Sequence, residues 1–288
     1  MVTYVKLLLT AIFWGGTFVA GRSLAQHVGP YSAAFLRFAV ASLFLVFITW
    51  KVEGRLALLK KGQLLPVFLL GLTGVFFYNV FFFKGLKLIE AGRAAIIIAN
   101  NPILIALLSA AIFKEKLNAI KATGIFISVT GAILAISKGD LRVILQGNLG
   151  WGEFYIFLCV ASWVTFSLLG KAVMSGLSPL ASVTYSSLTG TLLLLIPAFR
   201  EGIVNCIHFS IYDWWNIFYL GFFGTVLGFV WFYEGIKKIG PTKAGLFINF
   251  VPISAILLAF FLLDEPVTFS LLIGALLVTT GVYLTNRP

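Results

Sequence analysis

The sequence is poor in charged residues, cysteine and histidine, and each shortage excludes a class of protein. Only 11% of its 288 residues are charged, whereas a soluble domain has about 25%. Two cysteines and two histidines do not make a disulfide framework or a metal cluster. Motifs typical of nucleotide hydrolysis, zinc proteases and serine hydrolases are absent from the sequence. We therefore expect neither an enzyme nor an ATP-driven pump, and we expect no cofactor and no metal.

Long apolar stretches take the place of these features. Hydrophobic residues make up 60% of the chain, and its mean hydropathy is +1.03. A helix needs about 20 mostly apolar residues to cross a bilayer, so the chain has room for about ten such helices and for no separate soluble domain. We predict an all-α integral membrane protein with ten transmembrane helices, near residues 7–25, 33–50, 64–83, 94–113, 119–137, 151–170, 177–199, 214–233, 244–263 and 267–285.

The net charge of +11 reflects an excess of lysine and arginine over acidic residues. In membrane proteins with many helices, such residues concentrate in the cytoplasmic loops, so we expect no nucleic-acid partner. If the N-terminus is cytoplasmic, most of the 21 basic residues fall on that side of the predicted helices. We therefore predict that both termini are cytoplasmic. The joint that carries Lys84, Lys87 and Arg93 runs against this bias.

The two halves of the sequence match each other at a nearly constant spacing. Residues of the first helix recur 149 positions later in the sixth: Trp14, Gly21, Arg22 and Pro30 as Trp163, Gly170, Lys171 and Pro179. Towards the end of each half the spacing is 150, and the residues that recur are Gly85, Ile89, Ala94, Ile98, Pro102, Glu115, Gly124 and Gly131. Because five helices are an odd number, a second copy enters the membrane from the opposite side. We predict two inverted five-helix repeats, residues 1–139 and 149–288, with a connecting loop at 140–148.

Several of these motifs resemble those of a known family. They are Trp-Gly-Gly-Thr-Phe at residues 14–18, Leu-Arg-Phe at 36–38, and Pro102 and Pro252, each followed by a glutamate hairpin at Glu115 or Glu265. With the two five-helix halves, they make nearly the whole chain similar to the EamA-type drug/metabolite transporter superfamily. The resemblance implies a carrier of small metabolites in the bacterial inner membrane, with YddG-like amino-acid exporters as the closest type. It leaves the solute open, because these motifs belong to the scaffold.

Ionisable residues are placed unevenly in the predicted helices. All ten acidic residues lie in joints or within about one turn of a helix end, so we expect no proton site built on a membrane-buried carboxylate. We expect Glu115 and Glu265 to hold their hairpins, by pairing with lysine or by capping a helix. Arg37 is the one basic residue well inside a predicted helix. It is either a structural anchor or a group that attracts a substrate carboxylate.

Polar groups in the middle of predicted helices are the candidates for binding a solute. Buried amides need hydrogen-bond partners that lipid does not supply, so they either join helices or face a cavity. Tyrosine and tryptophan rings suit amphipathic or aromatic solutes, and their OH and NH groups also need partners. The predicted substrate-binding residues are Trp14, Arg37, Tyr78, Asn79, Asn100, Asn101, Trp163, Trp231 and Asn249. Glycine and proline loosen these helices, and the predicted hinge residues are Gly71, Gly74, Pro102, Gly224, Gly228 and Pro252.

Together these features favour a secondary transporter that exports small amphipathic metabolites, foremost amino acids including aromatic ones, by alternating access. Its cavity is predicted between the halves, lined mainly by the third, fourth, eighth and ninth helices, with the first and sixth contributing. A nucleotide-sugar or sugar-phosphate exchanger is the alternative among carriers, although it needs more basic groups at the midplane than Arg37 alone. A membrane-embedded enzyme and a pore are the alternatives of another class. The solute and the oligomeric state stay open.

Overall fold

The structure is a computed structural model that describes residues 1–54, 56, 58–113, 118–140, 150–173 and 177–285. These residues form helices, turns and short connections, with no strand among them. The apolar helices are numbered along the chain as α1 (Val2–His27), α2 (Pro30–Glu53), α3 (Lys61–Leu88), α4 (Ala91–Ile98 and Asn101–Phe113), α5 (Ala119–Ile136), α6 (Trp151–Val173), α7 (Pro179–Glu201), α8 (Ile211–Ile239), α9 (Pro241–Leu246 and Phe250–Leu263) and α10 (Phe269–Thr285).

The helices have the length and composition of membrane-spanning segments. In the described part of the chain, nine are long and apolar enough to cross a bilayer, and these are α1 to α9. The tenth, α10, is apolar but has only 17 described residues. The prediction of an all-α membrane protein is confirmed, whereas the count of ten spans stays a prediction. Large apolar side chains cover the outside, and Leu43, Phe126 and Phe261 are each more than 70% exposed.

Two of the helices contain a π-helical segment in their middle. In α3 it covers Gly71–Phe77, and in α8 it covers Tyr219–Leu227. The spacing of 150 places both segments at corresponding positions of the two halves. π-Helical turns widen the backbone and are frequent at functional sites. The glycines predicted as bending points lie inside or beside these segments.

Two other helices are broken near their prolines. In α4 the helix is interrupted at Ala99 and Asn100, directly before Pro102. In α9 a short 3-10 segment at Phe247–Asn249 precedes Pro252. Proline has no backbone N–H, and its ring clashes with the carbonyl one turn earlier, so a regular α-helix is disfavoured there. Both irregular segments lie at the same depth of their half.

α5 and α10 pack closely through glycines. A Cβ added to Gly124 would lie 2.6 Å from the Gly281 carbonyl oxygen, and one added to Gly131 would lie 2.8 Å from that of Gly274. Positions rise along α5 as they fall along α10, so the two helices run in opposite directions. Gly274 and Gly281 are the repeat counterparts of Gly124 and Gly131. Gly124 therefore packs on Gly281, the counterpart of Gly131, and Gly131 packs on Gly274, the counterpart of Gly124.

A second pair of helices, α2 and α7, is joined by hydroxyl groups. Ser42 Oγ lies 3.2 Å from Thr191 Oγ1, and Thr49 Oγ1 lies 2.7 Å from Thr184 Oγ1. These helices also run antiparallel. Because Ser42 and Thr191 are 149 residues apart, this contact joins corresponding positions of the two halves. Hydrogen bonds of this kind satisfy polar groups that lipid would leave unpaired.

The two joints predicted as tight hairpins have different outcomes. The joint with Glu115 lies outside the described residues. In the other, α9 ends at Leu263, and Asp264 adopts a left-handed conformation with φ of 53°. α10 then packs chiefly on α5 rather than along α9. The expected tight α9–α10 hairpin is corrected accordingly, because the glycine face of α10 is occupied by α5.

Candidate functional site

A cavity of about 910 Å³ lies between the two halves of the chain. This volume falls within the range of about 300–1,000 Å³ that is usual for small-molecule sites. Side chains of α1, α3, α4, α6, α8 and α9 line it, as the sequence predicted. The cavity also receives side chains from α2, α5, α7 and α10, which include Arg37, Lys121, Ser186 and Thr279.

The cavity extends to one end of the helix bundle. Among its lining residues are Lys121 at the start of α5, Gly170 near the end of α6, Gly245 near the start of α9 and Thr285 at the end of α10. Since consecutive helices alternate in direction, these four positions lie at the same end. The cavity therefore reaches this end of the bundle, which we call the open face.

Arg37 is the most deeply buried charge on the cavity wall, with 7% of the residue exposed. Its Nη1 donates to Asn79 Oδ1 of α3 at 2.9 Å, and its Nε donates to Thr225 Oγ1 of α8 at 3.2 Å. Asn79 is held in turn by a bond from its Nδ2 to the Val75 carbonyl. The guanidinium therefore connects α3, just after its π-helical segment, to the π-helical segment of α8.

Aromatic rings form much of the remaining wall. Phe229 stands between the repeat-related tryptophans, with ring centroids 5.8 Å from Trp14 and 6.4 Å from Trp163. Tyr78 lies 5.2 Å from Trp163 on the other side. The indole N–H of Trp14 donates to the Gly224 carbonyl at 2.9 Å. Such a wall provides apolar surface and quadrupolar faces for an amphipathic solute.

Three buried oxygen atoms on the cavity wall have no hydrogen-bond partner. They are Asn101 Oδ1, Ser182 Oγ and Thr279 Oγ1. Buried polar atoms are nearly always paired in proteins, and each unpaired one carries a desolvation penalty. The residues line the cavity, but these oxygens are shielded from solvent, so a solute reaches them only when the neighbouring side chains move. Asn249 lines the cavity as well, on α9.

The prolines and two of the glycines that the sequence singled out also line the cavity. Pro102 and Pro252 do so beside the interruptions of α4 and α9, and Gly74 and Gly224 do so within the π-helical segments. A Cβ on Gly74 would meet the ring of Phe166, and one on Gly224 would meet the methyl group of Thr17. These glycines are therefore required for close packing across the halves.

Four predicted residues lie outside the cavity lining. Asn100 donates to the Ile96 carbonyl and accepts from Ser128 Oγ at 2.8 Å, so it joins α4 to α5. Trp231 packs on Phe13 and under Lys6. The structure does not support either residue as a ligand, because the Asn100 side chain is bonded to Ser128 and the Trp231 ring packs on Phe13, both outside the cavity lining. Gly71 faces Thr189 and Gly190 of α7, and Gly228 faces the indole of Trp14.

Several lining residues were missed by sequence reasoning. They include the hydroxyl groups of Thr17, Ser167, Ser186 and Thr225 and the rings of Phe82, Phe166, Phe229, Phe232 and Tyr233. Hydroxyl groups are common in membrane helices because they bond back to their own helix, so they give no signal. Ser186 is the exception, because its position 149 residues after Arg37 is a sequence signal that it occupies the corresponding place in the second half.

The end opposite the open face is closed by charged contacts. Arg93 Nη1 lies 2.7 Å from Glu153 Oε1, which joins α4 to α6, and Arg93 also donates to the Ile136 carbonyl at the end of α5. Lys138 Nζ lies 3.2 Å from Glu90 Oε1 nearby. We call this end the closed face. The ion pair between Arg93 and Glu153 links the two halves of the chain at this face, and the other two contacts lie within the first half.

Glu265 caps a helix at the closed face, which is one of the two roles that the sequence predicted. Its carboxylate accepts from the backbone N–H groups of Ala91 at 2.8 Å and Gly92 at 3.3 Å, at the start of α4. Burial raises the pKa of this carboxyl, and the two N–H donors oppose the rise. The crevice beside it measures about 40 Å³, which is about the volume of one water molecule.

Comparisons with known proteins agree with this architecture. A crystal structure that covers 99% of this chain, and is itself covered to 97%, superposes with a TM-score of 0.64 at 18% identity, which shows the shared fold. An uncharacterized transporter of Archaeoglobus fulgidus is 28% identical over 285 residues, 99% of this chain and 97% of the relative. The transporter YyaM of Bacillus subtilis (strain 168), also uncharacterized, is 32% identical over 284 residues, 97% of this chain and 92% of the relative.

The family assignment rests on two matching segments. Residues 1–137 and 150–287 each match the EamA-like transporter family, and together they cover nearly the whole chain. The relatives are named as transporters and not as enzymes. The resemblance to this family that the motifs indicated is thereby confirmed. This chain belongs to the EamA-like transporter family and is an integral membrane transporter for a small-molecule substrate.

Proposed function

We propose that the protein is a secondary transporter that exports small amphipathic metabolites, foremost amino acids including aromatic ones, by alternating access. The observation that carries the proposal is the cavity, which combines aromatic walls with one buried guanidinium and several uncharged polar side chains. Aromatic walls favour an apolar side chain. The polar side chains between the rings, with Arg37 and Asn249 among them, favour a solute that also carries polar groups, as an amino acid does in its ammonium and carboxylate groups.

We further propose that residues 1–139 and 149–288 are inverted repeats related by a pseudo-two-fold axis in the membrane plane. The exchange of partners in the antiparallel α5–α10 pair supports this relation, and so does the contact between Ser42 and Thr191. A third support comes from α3 and α8. A Cβ on Gly71 would approach the Ser186 carbonyl at 3.0 Å, and one on Gly221 would approach the Arg37 carbonyl at 2.8 Å. These two contacts join corresponding positions.

The unequal ends of the molecule support alternating access. The cavity reaches the open face, whereas ion pairs and a helix cap seal the closed face. Inverted repeats can exchange their conformations, which would open the second face and close the first. With both termini cytoplasmic, as the distribution of lysine and arginine favours, the open face is cytoplasmic and the cavity is loaded from inside the cell.

Counterflow in liposomes tests the proposed function. Purified protein is reconstituted into liposomes loaded with one unlabelled solute, and uptake of labelled amino acids, nucleotide sugars, sugar phosphates and polyamines is compared. We expect exchange of amino acids, with aromatic ones among them. Preference for nucleotide sugars or sugar phosphates would instead favour the alternative among carriers. Uptake of every compound at similar rates without saturation would indicate a pore.

A matched pair of variants tests whether the cavity is the transport route. Trp163→Ala removes a ring that contacts Tyr78, Phe166 and Phe229 on the cavity wall. We expect its exchange rate to fall several-fold, because each aromatic contact contributes about 0.5–1.5 kcal/mol. Trp215→Ala is the control, since Trp215 is 58% exposed and lies outside the cavity lining. Equal activity of the two variants would contradict the proposal.

A further inference from the structure

Arg37 is a buried cation without an anionic partner. Its two hydrogen bonds go to neutral oxygens, those of Asn79 and Thr225, and no described carboxylate forms an ion pair with it. A guanidinium has five N–H donors, so these two bonds leave three for other acceptors. A buried charge that is paired only with neutral groups is not fully compensated. The cavity wall at Arg37 is therefore a place of positive potential.

The second half of the chain has no cation at the position that corresponds to Arg37. Ser186 is the repeat counterpart of Arg37, and the close contacts of their carbonyls with Gly71 and Gly221 show that the two backbones are packed alike. The second half forms the same helix contact with a small neutral side chain. This helix contact is thus made without a guanidinium in one half, so the contact alone does not account for Arg37 in the other.

The surroundings of Arg37 hold the guanidinium in place. Asn79 and Thr225 fix it from two helices, and the rings of Phe38 and Phe82 lie 5.4 and 6.0 Å from its Cζ. These rings favour the cation through their quadrupolar faces. A guanidinium held in this way is preorganised to donate two parallel hydrogen bonds to a planar anion.

We infer that Arg37 binds the carboxylate of the transported solute, an inference that rests on the proposed function. A carboxylate carries one negative charge, which the single guanidinium can neutralise. A phosphate monoester carries about −1.5 to −2 and would leave charge unpaired in an aromatic cavity. Lys121, the other described cation on the lining, lies at the open face, where it attracts anions before they reach Arg37.

Binding of a series of aromatic compounds tests the inference without any variant. Labelled phenylalanine is bound to the purified full chain in detergent and displaced by 3-phenylpropanoate, phenethylamine or phenyl phosphate. We expect 3-phenylpropanoate to displace phenylalanine, and phenethylamine to be at least about tenfold weaker, as the loss of a charged hydrogen bond implies. The pair leucine and 3-methylbutylamine repeats the comparison for an aliphatic solute.

Two variants at Arg37 and one control assign the effect to this residue. Arg37→Gln should weaken phenylalanine by about tenfold or more and should improve phenethylamine, because the repulsion between cations is removed. Arg37→Lys keeps the charge and should retain part of the preference for carboxylates. Lys51→Gln is the matched control on the same helix, exposed and outside the cavity. It should leave all affinities unchanged.

The outcomes separate this inference from the proposed function. If amino acids bind and are exchanged, but phenethylamine binds as tightly as phenylalanine, the inference is overturned and the proposed function stands. The same holds if Arg37→Gln folds and keeps the wild-type order of affinities, or if phenyl phosphate is the strongest competitor. If neither amino acid binds and none is exchanged in liposomes, both the proposed function and the inference are overturned.

Discussion

The ion pair between Arg93 and Glu153 offers the sharpest test of alternating access. It joins α4 to α6 at the closed face with an N–O distance of 2.7 Å, and the two side chains are only 12% and 5% exposed. Arg93 also binds the end of α5 through the Ile136 carbonyl. Opening this face requires the pair to separate. We predict that Glu153→Gln, which keeps the shape but removes the charge, shifts the protein towards a state open at this face.

The size of the shift follows from the burial of the pair. A hydrogen bond to a charged group contributes about 1.5–3 kcal/mol when it is made in the folded protein. The substitution removes this contribution from the closed arrangement only, since in the open arrangement water reaches both groups. The ratio of the two states should therefore change by roughly 10- to 150-fold. A solvated ion pair would contribute less than about 1 kcal/mol and shift the ratio far less.

Accessibility of a cavity cysteine measures this shift. Ile98→Cys places a thiol on the cavity lining two helical turns from the start of α4 at the closed face, in a background where Cys206 is replaced by serine and Cys159 stays buried. A membrane-impermeant maleimide is applied from the side that carries Glu153. We expect Glu153→Gln to raise the rate of modification by about tenfold or more.

Controls for this experiment come from the same molecule. The exchanged pair Arg93→Glu with Glu153→Arg should restore slow modification, because the attraction is rebuilt. Glu53→Gln removes a carboxylate at the other face, where it accepts a hydrogen bond from Ser178, and should not raise the rate. If Glu153→Gln folds normally and its rate equals that of the parent, the ion pair does not control access and the reasoning is refuted.

Three more predictions concern the site, the packing and the energy source. Asn101→Ala should weaken solute binding several-fold in the phenylalanine-binding assay, because Asn101 lines the cavity. Asn100→Ala should lower thermal stability and leave affinity unchanged, because Asn100 bonds to Ser128 outside the cavity. The reverse pattern would contradict this assignment. Gly281→Ala should lower the free energy of unfolding by about 1–3 kcal/mol, because its Cβ would overlap the backbone of α5 and overpack the contact. Thermal unfolding measures the loss, and Gly62→Ala, whose Cβ would meet nothing within 4 Å, is the control. In liposomes with the solute gradient held fixed, an imposed pH gradient should not drive accumulation of a zwitterion, because no carboxylate is found among the described lining residues; accumulation on the pH gradient alone would overturn this.

Much of the architecture was predictable because a bilayer imposes simple rules. A chain with 60% hydrophobic residues and apolar stretches of about 20 residues has to form membrane helices. The spacings of 149 and 150 indicated duplication, and the family motifs indicated a transporter. Nine described helices are long enough to span a bilayer, and in eight of them the observed first residue lies within about one turn of the predicted first residue.

The π-helical segments and the interruption of α4 illustrate what periodicity alone does not provide. Glycines at Gly71, Gly74 and Gly224 indicated loosened helices, and Pro102 indicated a weak point. Whether a loosened helix bends, widens into a π-helix or stays straight depends on what packs against it. Here Phe166 of α6 packs against Gly74, and Thr17 of α1 packs against Gly224. In each case the side chain that fills the space beside the glycine comes from a different helix.

The sequence by itself determined the helical membrane fold, the family and the set of polar residues from which a site could be built, and its spacings of 149 and 150 indicated a duplication. The tertiary structure decided which of them share a cavity. Asn100 and Asn101 are neighbours in sequence at the interruption of α4, yet the side chain of Asn100 bonds to Ser128 of α5 whereas Asn101 lines the cavity. The partners of Arg37 also required the structure, because Asn79 and Thr225 lie 42 and 188 residues away in the sequence. Only the folded chain shows that the guanidinium meets these two neutral side chains and not an acidic one.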